Sequence, residues 1–280
     1  MRDKKLVRTL SLVVLLGLCD PLYGWEKTYT HPIISEKACM SSRIQNYLKA
    51  ELGFNNALYH QLAICNNATP FVQDLIERGM DPSLQNRTIS EWIKEGSKLE
   101  DAKLHQARSQ HHFLDPTRNA GLDNRTDHPN WEGAPTRLAP FDLRGESTLA
   151  WATTGTSSTG YPKDNLQTWR KTRARFLNGV CSVSNVDREQ YLAEMFVAFG
   201  HVLHLLEDMG VPAHARNDWL FAHYPPPASA GNPFESWVEK QVKANAGHCP
   251  WSGTGAVVFD RLPQYSYQSS VANSGDRNDS

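Results

Sequence analysis

The chain has 280 residues, and its 29 lysines and arginines nearly balance 30 aspartates and glutamates, giving a formal net charge of −1 at pH 7. This length suits one main domain with a sizeable core. The near-neutral charge excludes a global field that would draw the protein to nucleic acid or to an anionic membrane, so an anionic substrate must be captured locally.

The beginning of the chain predicts an export signal. Basic side chains precede an apolar run from Leu10 to Leu18, and the small residue Gly24 follows. That order is typical of a signal peptide over residues 1–24, and the apolar run is too short for a stable membrane span. We therefore expect a secreted or periplasmic protein whose mature chain begins at Trp25. We also expect the protein to be a monomer.

Export would leave four cysteines in an oxidising compartment. They are Cys39, Cys65, Cys181 and Cys249. An even number of cysteines in a secreted chain favours two disulfides, although the sequence leaves their pairing open, and four buried thiols are the alternative. The spacing of the cysteines does not match that of cysteine zinc sites.

Helical periodicity dominates the rest of the chain, and strand signals are sparse. Apolar spacing and capping residues predict helices over 35–52, 67–81, 88–107, 164–179, 187–210 and 232–245. Residues 115–165 are rich in Gly, Pro, Thr, Asn and Asp, which predicts a long irregular insertion with one short helix around Leu149. Residues 261–280 are polar and predict a disordered tail. We therefore expect an all-α fold, with a single multi-helix domain over residues 25–260.

The helix predicted over 187–210 carries a pair of side chains that suit a metal ion. His204 and Asp208 stand four residues apart, so they lie on one face of the helix within reach of a single ion. Pro212 ends the helix and His214 follows closely, which places a third candidate ligand at the same point. Imidazole and carboxylate are ligands that Zn²⁺ accepts. The alternative is a buried histidine that is hydrogen-bonded to an aspartate.

Two earlier segments supply further candidate ligands. The segment HHFLDP contains His111 and His112, and Pro116 forces the chain out of a helix after them. Asp101 belongs to the predicted helix that precedes this segment. Each of these residues alone would more often be structural. Their conjunction with the segment HLLEDMGVPAH favours a metal site.

These segments, together with a tryptophan at the predicted mature amino terminus, resemble the secreted zinc-dependent phospholipase C family, which also includes single-strand-specific nucleases. The metal helix of that family has the same histidine, aspartate, proline and histidine spacing as HLLEDMGVPAH. The resemblance implies an all-α domain of the zinc-dependent phospholipase C/nuclease type, holding two or three zinc ions and carrying the long insertion.

The resemblance also implies a ligand set for each of the first two ions. The first zinc ion would be held by Asp101, His112, His204 and Asp208. The second would be held by the amino terminus of Trp25, by His31 and by Asp208. The carboxylate of Asp208 would therefore bridge the two ions.

A third ion would bind His214 and Glu235. In the family, a histidine stands four residues before that glutamate, whereas this chain has Gly231 there. His223 and His201 are the candidate substitutes for the missing histidine.

The function that the resemblance implies is hydrolysis of phosphodiester bonds. Adjacent zinc ions bind phosphoryl oxygens and activate a water molecule for in-line attack on phosphorus. Asp101 is the expected catalytic residue, which orients or deprotonates that water. A phospholipid head group is the favoured substrate, because HHFLDP matches the phospholipase branch of the family more closely than the nuclease branch.

Two alternatives to a phospholipase remain open. The helix predicted over 164–179 carries basic side chains beside Trp169 that suit a single-stranded nucleic-acid backbone. These side chains are Arg170, Lys171, Arg173 and Arg175. A solvated surface is the commoner reason for such a basic face. The second alternative is a secreted binding protein that kept the helical scaffold with an incomplete metal cluster. Gly231 is the residue that favours this alternative.

Overall fold

The computed structural model describes residues 29–83, 85–101, 108–122, 145–155, 164–215 and 233–244. Several predicted features lie outside the described residues: the signal peptide, the terminal Trp25, His223, Gly231, Cys249 and the tail over 261–280.

The described part of the chain is mostly helical, which confirms the predicted all-α character. Its helices are α1 (Thr30–Ser41), α2 (Ile44–Ala50), α3 (Pro70–Glu77), α4 (Ile89–Glu100), α5 (Thr148–Thr153), α6 (Trp169–Cys181), α7 (Asn185–Asp208), α8 (Pro212–Ala215) and α9 (Pro233–Ala244). Two short strands, β1 (Gln61–Ala63) and β2 (Asn86–Thr88), pair antiparallel, with Leu62 opposite Arg87. This small sheet was not predicted, because three-residue strands carry too short a pattern to be recognised.

The single helix predicted over 35–52 was wrong, because the chain forms α1 and α2 there. Ser42 separates them in an extended conformation, with φ −90° and ψ 174°. Its hydroxyl donates to the carbonyl oxygen of Cys39 at 2.8 Å and accepts from the N–H of Ile44 at 3.2 Å. One serine thus satisfies the end of one helix and the start of the next.

Capping residues explain most of the other helix boundaries. Thr88 and Glu91 form a reciprocal capping box at the start of α4. The side chain of Thr168 accepts from the N–H of Lys171, so α6 begins at Trp169 and not at residue 164. In the predicted insertion, Ser147 caps the short helix α5, which contains Leu149 as expected.

Helices α4 and α7 cross in close contact at two glycines, and this crossing brings the site together. A Cβ atom at Gly96 would lie 1.9 Å from the carbonyl oxygen of Val197, and one at Gly200 would lie 2.1 Å from that of Ile93. The close approach of the two backbones therefore requires glycine at both positions. Trp92 anchors α4 to β1 by donating its indole N–H to the carbonyl oxygen of Leu62 at 2.9 Å.

The described cysteines are not joined to one another by disulfides. Cys39 is buried, whereas Cys65 and Cys181 are exposed. Burial raises the pKa of the Cys39 thiol to about 12, so this thiol is unreactive at neutral pH. Two disulfides among the four cysteines would need at least one bond within this set of three, so the expectation of two disulfides was wrong. A single bond to Cys249 stays a prediction.

The described helices do not include one that is both long enough and apolar enough to cross a lipid bilayer.

Replacing Gly96 by alanine should destabilise the protein. Alanine would normally stabilise a helix interior by about 1 kcal/mol relative to glycine, but here its methyl group collides with the backbone of α7. We expect a net loss of about 1–3 kcal/mol in the free energy of unfolding, as for other overpacked contacts. Chemical denaturation followed by circular dichroism measures this loss.

Ala174 is exposed on α6 and provides the matched control. The Ala174→Gly variant reports helix propensity alone and should lose about 1 kcal/mol. A Gly96→Ala protein as stable as the wild type, or more stable, would contradict the close crossing of α4 and α7.

Candidate metal centre

Seven of the predicted ligands are buried around one point of the fold. They come from α1, from the residue that ends α4, from the segment after the 3₁₀ turn Arg108–His111, and from α7, α8 and α9. In chain order they are His31, Asp101, His112, His204, Asp208, His214 and Glu235. Trp25 and His223 lie outside the described residues.

Asp208 is the centre of this cluster, because its two carboxylate oxygens face four imidazoles. Oδ2 lies 2.8 Å from Nδ1 of His112 and 3.3 Å from Nε2 of His204. Oδ1 lies 3.5 Å from Nε2 of His31 and 3.9 Å from Nδ1 of His214. Each oxygen therefore serves a different pair of histidines, as a bridging carboxylate would.

Two groups of three potential ligand atoms share this centre. One group contains His31, His204 and Asp208, and the other contains Asp101, His112 and His204; within each group the ligand atoms lie within 4.8 Å of one another. Nε2 of His204 faces both groups, and one imidazole nitrogen binds one ion. If each group holds an ion, His204 can bind only one of the two. The ion beside His31 and Asp208 would then need a further ligand.

Two of the histidines are oriented by hydrogen bonds to main-chain carbonyl oxygens. Nδ1 of His204 donates to the carbonyl oxygen of Ser97 at 2.7 Å. Nδ1 of His214 donates to the carbonyl oxygen of His112 at 2.8 Å. Because a carbonyl oxygen only accepts, each Nδ1 carries the hydrogen of that bond, and Nε2 is the ring nitrogen left to bind a metal ion.

The inner atoms of the cluster lack the hydrogen bonds that burial normally demands. Among the described residues, both carboxylate oxygens of Asp101 and of Asp208, both ring nitrogens of His112 and Nε2 of His204 make no well-aligned hydrogen bond. Such atoms are costly to bury without a compensating partner. A cation at this point would satisfy them together, and a set of imidazole nitrogens and carboxylate oxygens fits zinc.

Opposite charges balance inside the cluster. Burial alone would raise the pKa of Asp208, but the imidazoles of His204, His214 and His112 hold it well below its usual range. Burial would lower the pKa of His112, but Asp208 leads the acidic groups that raise it to about 10. Asp101 and Asp208 raise the pKa of His204 to about 9 against the same effect of burial. The two aspartates thus attract positive charge to this point, and a divalent cation would supply such charge.

Two histidines that were candidates lie outside this cluster. Nδ1 of His111 accepts from the N–H of Glu146 at 2.9 Å, and its ring stacks on Trp151. Nδ1 of His201 lies 2.6 Å from Oε2 of Glu100. His201 therefore belongs to a buried polar network, and the structure does not bring it to Glu235 as a substitute ligand.

The expected third ion has the weakest support in the described residues. Nε2 of His214 lies 3.4 Å from Oε1 of Glu235, so this expected pair is brought together. Among the described residues, they do not form a group of three ligand atoms with another histidine, cysteine or acidic residue. The position of Gly231 and the alternative ligand His223 both lie outside the described part of the chain.

The residues that support the ligands were missed by sequence reasoning. Glu207 contacts His31, and Glu100 lies 3.7 Å from Nε2 of His112 through its Oε1 atom. Each glutamate directly precedes a predicted aspartate ligand at the end of a helix, in the repeated tripeptide Leu-Glu-Asp. That repeat was the available signal.

Comparison of this chain with protein-family models, with curated proteins and with solved structures finds no match.

Replacing Asp208 by asparagine should remove at least one bound metal ion. The amide keeps the size of the side chain but removes the negative charge and one of the two acceptor oxygens that face the four histidines. We expect the zinc content of the purified protein to fall by at least one ion per molecule, as measured by elemental analysis.

The matched control is Asp187→Asn, at an exposed position in the first turn of the same helix. This variant should keep the zinc content of the wild type. Equal zinc content in the Asp208→Asn and Asp187→Asn proteins would rule out Asp208 as the central ligand.

Proposed function

We propose that this protein is a secreted, zinc-dependent hydrolase of phosphodiester bonds that resembles the phospholipases C. The observation that carries the proposal is the buried Asp208 carboxylate, whose two oxygens face imidazoles from four segments of the chain. The helical scaffold and the motif order agree with this proposal.

Bound zinc would act here as a Lewis acid toward phosphoryl oxygens and toward a water molecule. The protein's own contribution is to hold the ligands in place. The carboxylate of Asp208 would be a ligand of both ions, and the carbonyl oxygens of Ser97 and His112 fix the rings of His204 and His214. Because the surrounding side chains are buried, these charges act in a medium of low dielectric constant, where they are stronger than in water.

Asp101 is the proposed catalytic residue. It directly follows the last residue of α4. Its Oδ1 atom lies 3.4 Å from Nδ1 of His112, and its Oδ2 atom lies 3.6 Å from Nε2 of His204. One oxygen can therefore serve as a ligand while the other orients the attacking water or accepts its proton.

A phospholipid head group is the favoured substrate over single-stranded nucleic acid. Two of the four basic side chains on α6 are engaged within the protein: Arg175 pairs with Glu194 at 3.2 Å, and Lys171 donates to the carbonyl oxygen of Asn165 at 2.9 Å. Arg170 and Arg173 are left exposed on this helix. Two exposed arginines give little support for tracking a nucleic-acid backbone.

Salt dependence separates the two substrates. Hydrolysis of a soluble short-chain phosphatidylcholine should change less than about twofold between about 50 and about 200 mM salt, because binding a zwitterionic head group releases few counterions. Hydrolysis of single-stranded DNA would fall steeply over the same range. Turnover of DNA alone, with that steep fall, would replace the phospholipase proposal by the nuclease alternative.

The amino terminus offers a test of the second ion. A protein that begins at Trp25 should bind one more zinc ion than a version carrying an added Met before Trp25, because a peptide bond removes the basicity of the terminal amine. Zinc per molecule measured by elemental analysis gives the difference. Identical zinc content in the two forms would contradict the terminal amine as a ligand.

A further inference from the structure

Glu207 links two helices beside the candidate ligands. Its Oε2 atom lies 2.7 Å from Nδ1 of His31, and its Oε1 atom accepts a hydrogen bond from the hydroxyl of Ser35 at 2.7 Å. Both of these partners belong to α1, whereas Glu207 directly precedes Asp208 in α7. One carboxylate therefore connects the segment that supplies His31 to the helix that supplies the central aspartate.

We propose that Glu207 is a positioning residue that fixes the tautomer and ring orientation of His31 for metal binding. A carboxylate that accepts the Nδ1–H of an imidazole leaves its Nε2 unprotonated and makes that nitrogen a more basic ligand. Nε2 of His31 is the atom that faces Asp208, at 3.5 Å. The metal-binding part of this inference rests on the proposed zinc site.

The ring of His31 is held from its face as well as from its edge. It stacks on the ring of His204, with centroids 3.7 Å apart and an angle of 22° between the planes. The hydroxyls of Ser35 and Ser97 lie 3.1 Å apart, and the carbonyl oxygen of Ser97 in turn fixes His204. Two candidate ligands from different helices are therefore held together, and Glu207 contacts this arrangement at both His31 and Ser35.

Glu100, the other glutamate that precedes a candidate ligand, is arranged differently. Its Oε1 atom lies 3.7 Å from Nε2 of His112, which is too far for a direct hydrogen bond. Oε1 instead accepts from the indole N–H of Trp151 at 3.1 Å, and Oε2 lies 2.6 Å from Nδ1 of His201. Of the two glutamates that directly precede a candidate aspartate ligand, only Glu207 thus lies within hydrogen-bonding distance of a candidate histidine ligand in the cluster around Asp208.

Two substitutions of Glu207 separate positioning from simple packing. Glu207→Ala removes the acceptor, so we expect one zinc ion to bind roughly 10–100-fold more weakly in competition with a chelator. Glu207→Gln keeps an amide oxygen that can accept from Nδ1 of His31, so it should recover part of that loss. Glu189→Ala, at an exposed position of the same helix, is the control and should bind zinc like the wild type.

A readout without metal tests the positioning itself. In the metal-free wild type, nitrogen-15 NMR of the histidines should show His31 with its hydrogen on Nδ1. That signature should be lost in Glu207→Ala and kept in Glu207→Gln. Thermal unfolding of the same metal-free proteins reports how far each variant stays folded. If the alanine variant unfolds, the glutamine variant is compared with the wild type instead.

The outcomes distinguish this inference from the proposed function. An unchanged tautomer of His31 and unchanged zinc affinity in the folded Glu207→Ala protein would overturn the role of Glu207 while leaving the zinc site intact. A wild type that binds no zinc but shows the Nδ1–H tautomer, lost in Glu207→Ala, would support the positioning of His31 and reject the zinc hydrolase. Zinc binding with the hydrogen of His31 on Nε2 would reject only the role of Glu207.

Discussion

The buried carboxylate of Asp208 is the constraint on which the rest of the site depends. An ionised carboxylate is costly to bury unless charges or strong donors compensate it. Here the compensation comes from imidazoles on α1, on α7 itself, on α8 and on the segment before α5. The close approach of α4 and α7 through Gly96 and Gly200 brings the carbonyl oxygen of Ser97 and the carboxylate of Asp101 to the same point.

The ends of helices, rather than their middles, present the acidic ligands. Asp208 is the last residue of α7, and Asp101 directly follows the last residue of α4. The carbonyl groups at a helix carboxyl end carry a partial negative charge, so both ends add to the attraction for a cation. The carboxylate of Glu207 contacts Nδ1 of His31, and the carbonyl oxygen of Ser97 accepts from Nδ1 of His204. These contacts set Nε2 of each ring toward that charge.

Helical spacing predicted the pair His204 and Asp208, the resemblance implied further ligands such as His31 and Glu235, and the residues that surround the ligands were missed. His204 and Asp208 were predictable because four residues make one helical turn, and a strong apolar stripe indicated that helix. Glu207 and Glu100 were missed because their roles depend on contacts between distant segments. The role of Gly96 was not predictable, since no local pattern shows that another backbone passes there. Spacing alone did not separate His111 from His112; the resemblance implied His112, and the stacking of His111 on Trp151 agrees with that choice.

Anomalous X-ray diffraction at the zinc absorption edge, on crystals of protein that begins at Trp25, tests the central claim most directly. We predict at least two anomalous peaks, one on each side of the Asp208 carboxylate. One peak should lie next to His112 and His204, and the other next to His31. Crystals grown with zinc that show no peak within bonding distance of Asp208 would contradict the metal site, and with it the proposed hydrolase.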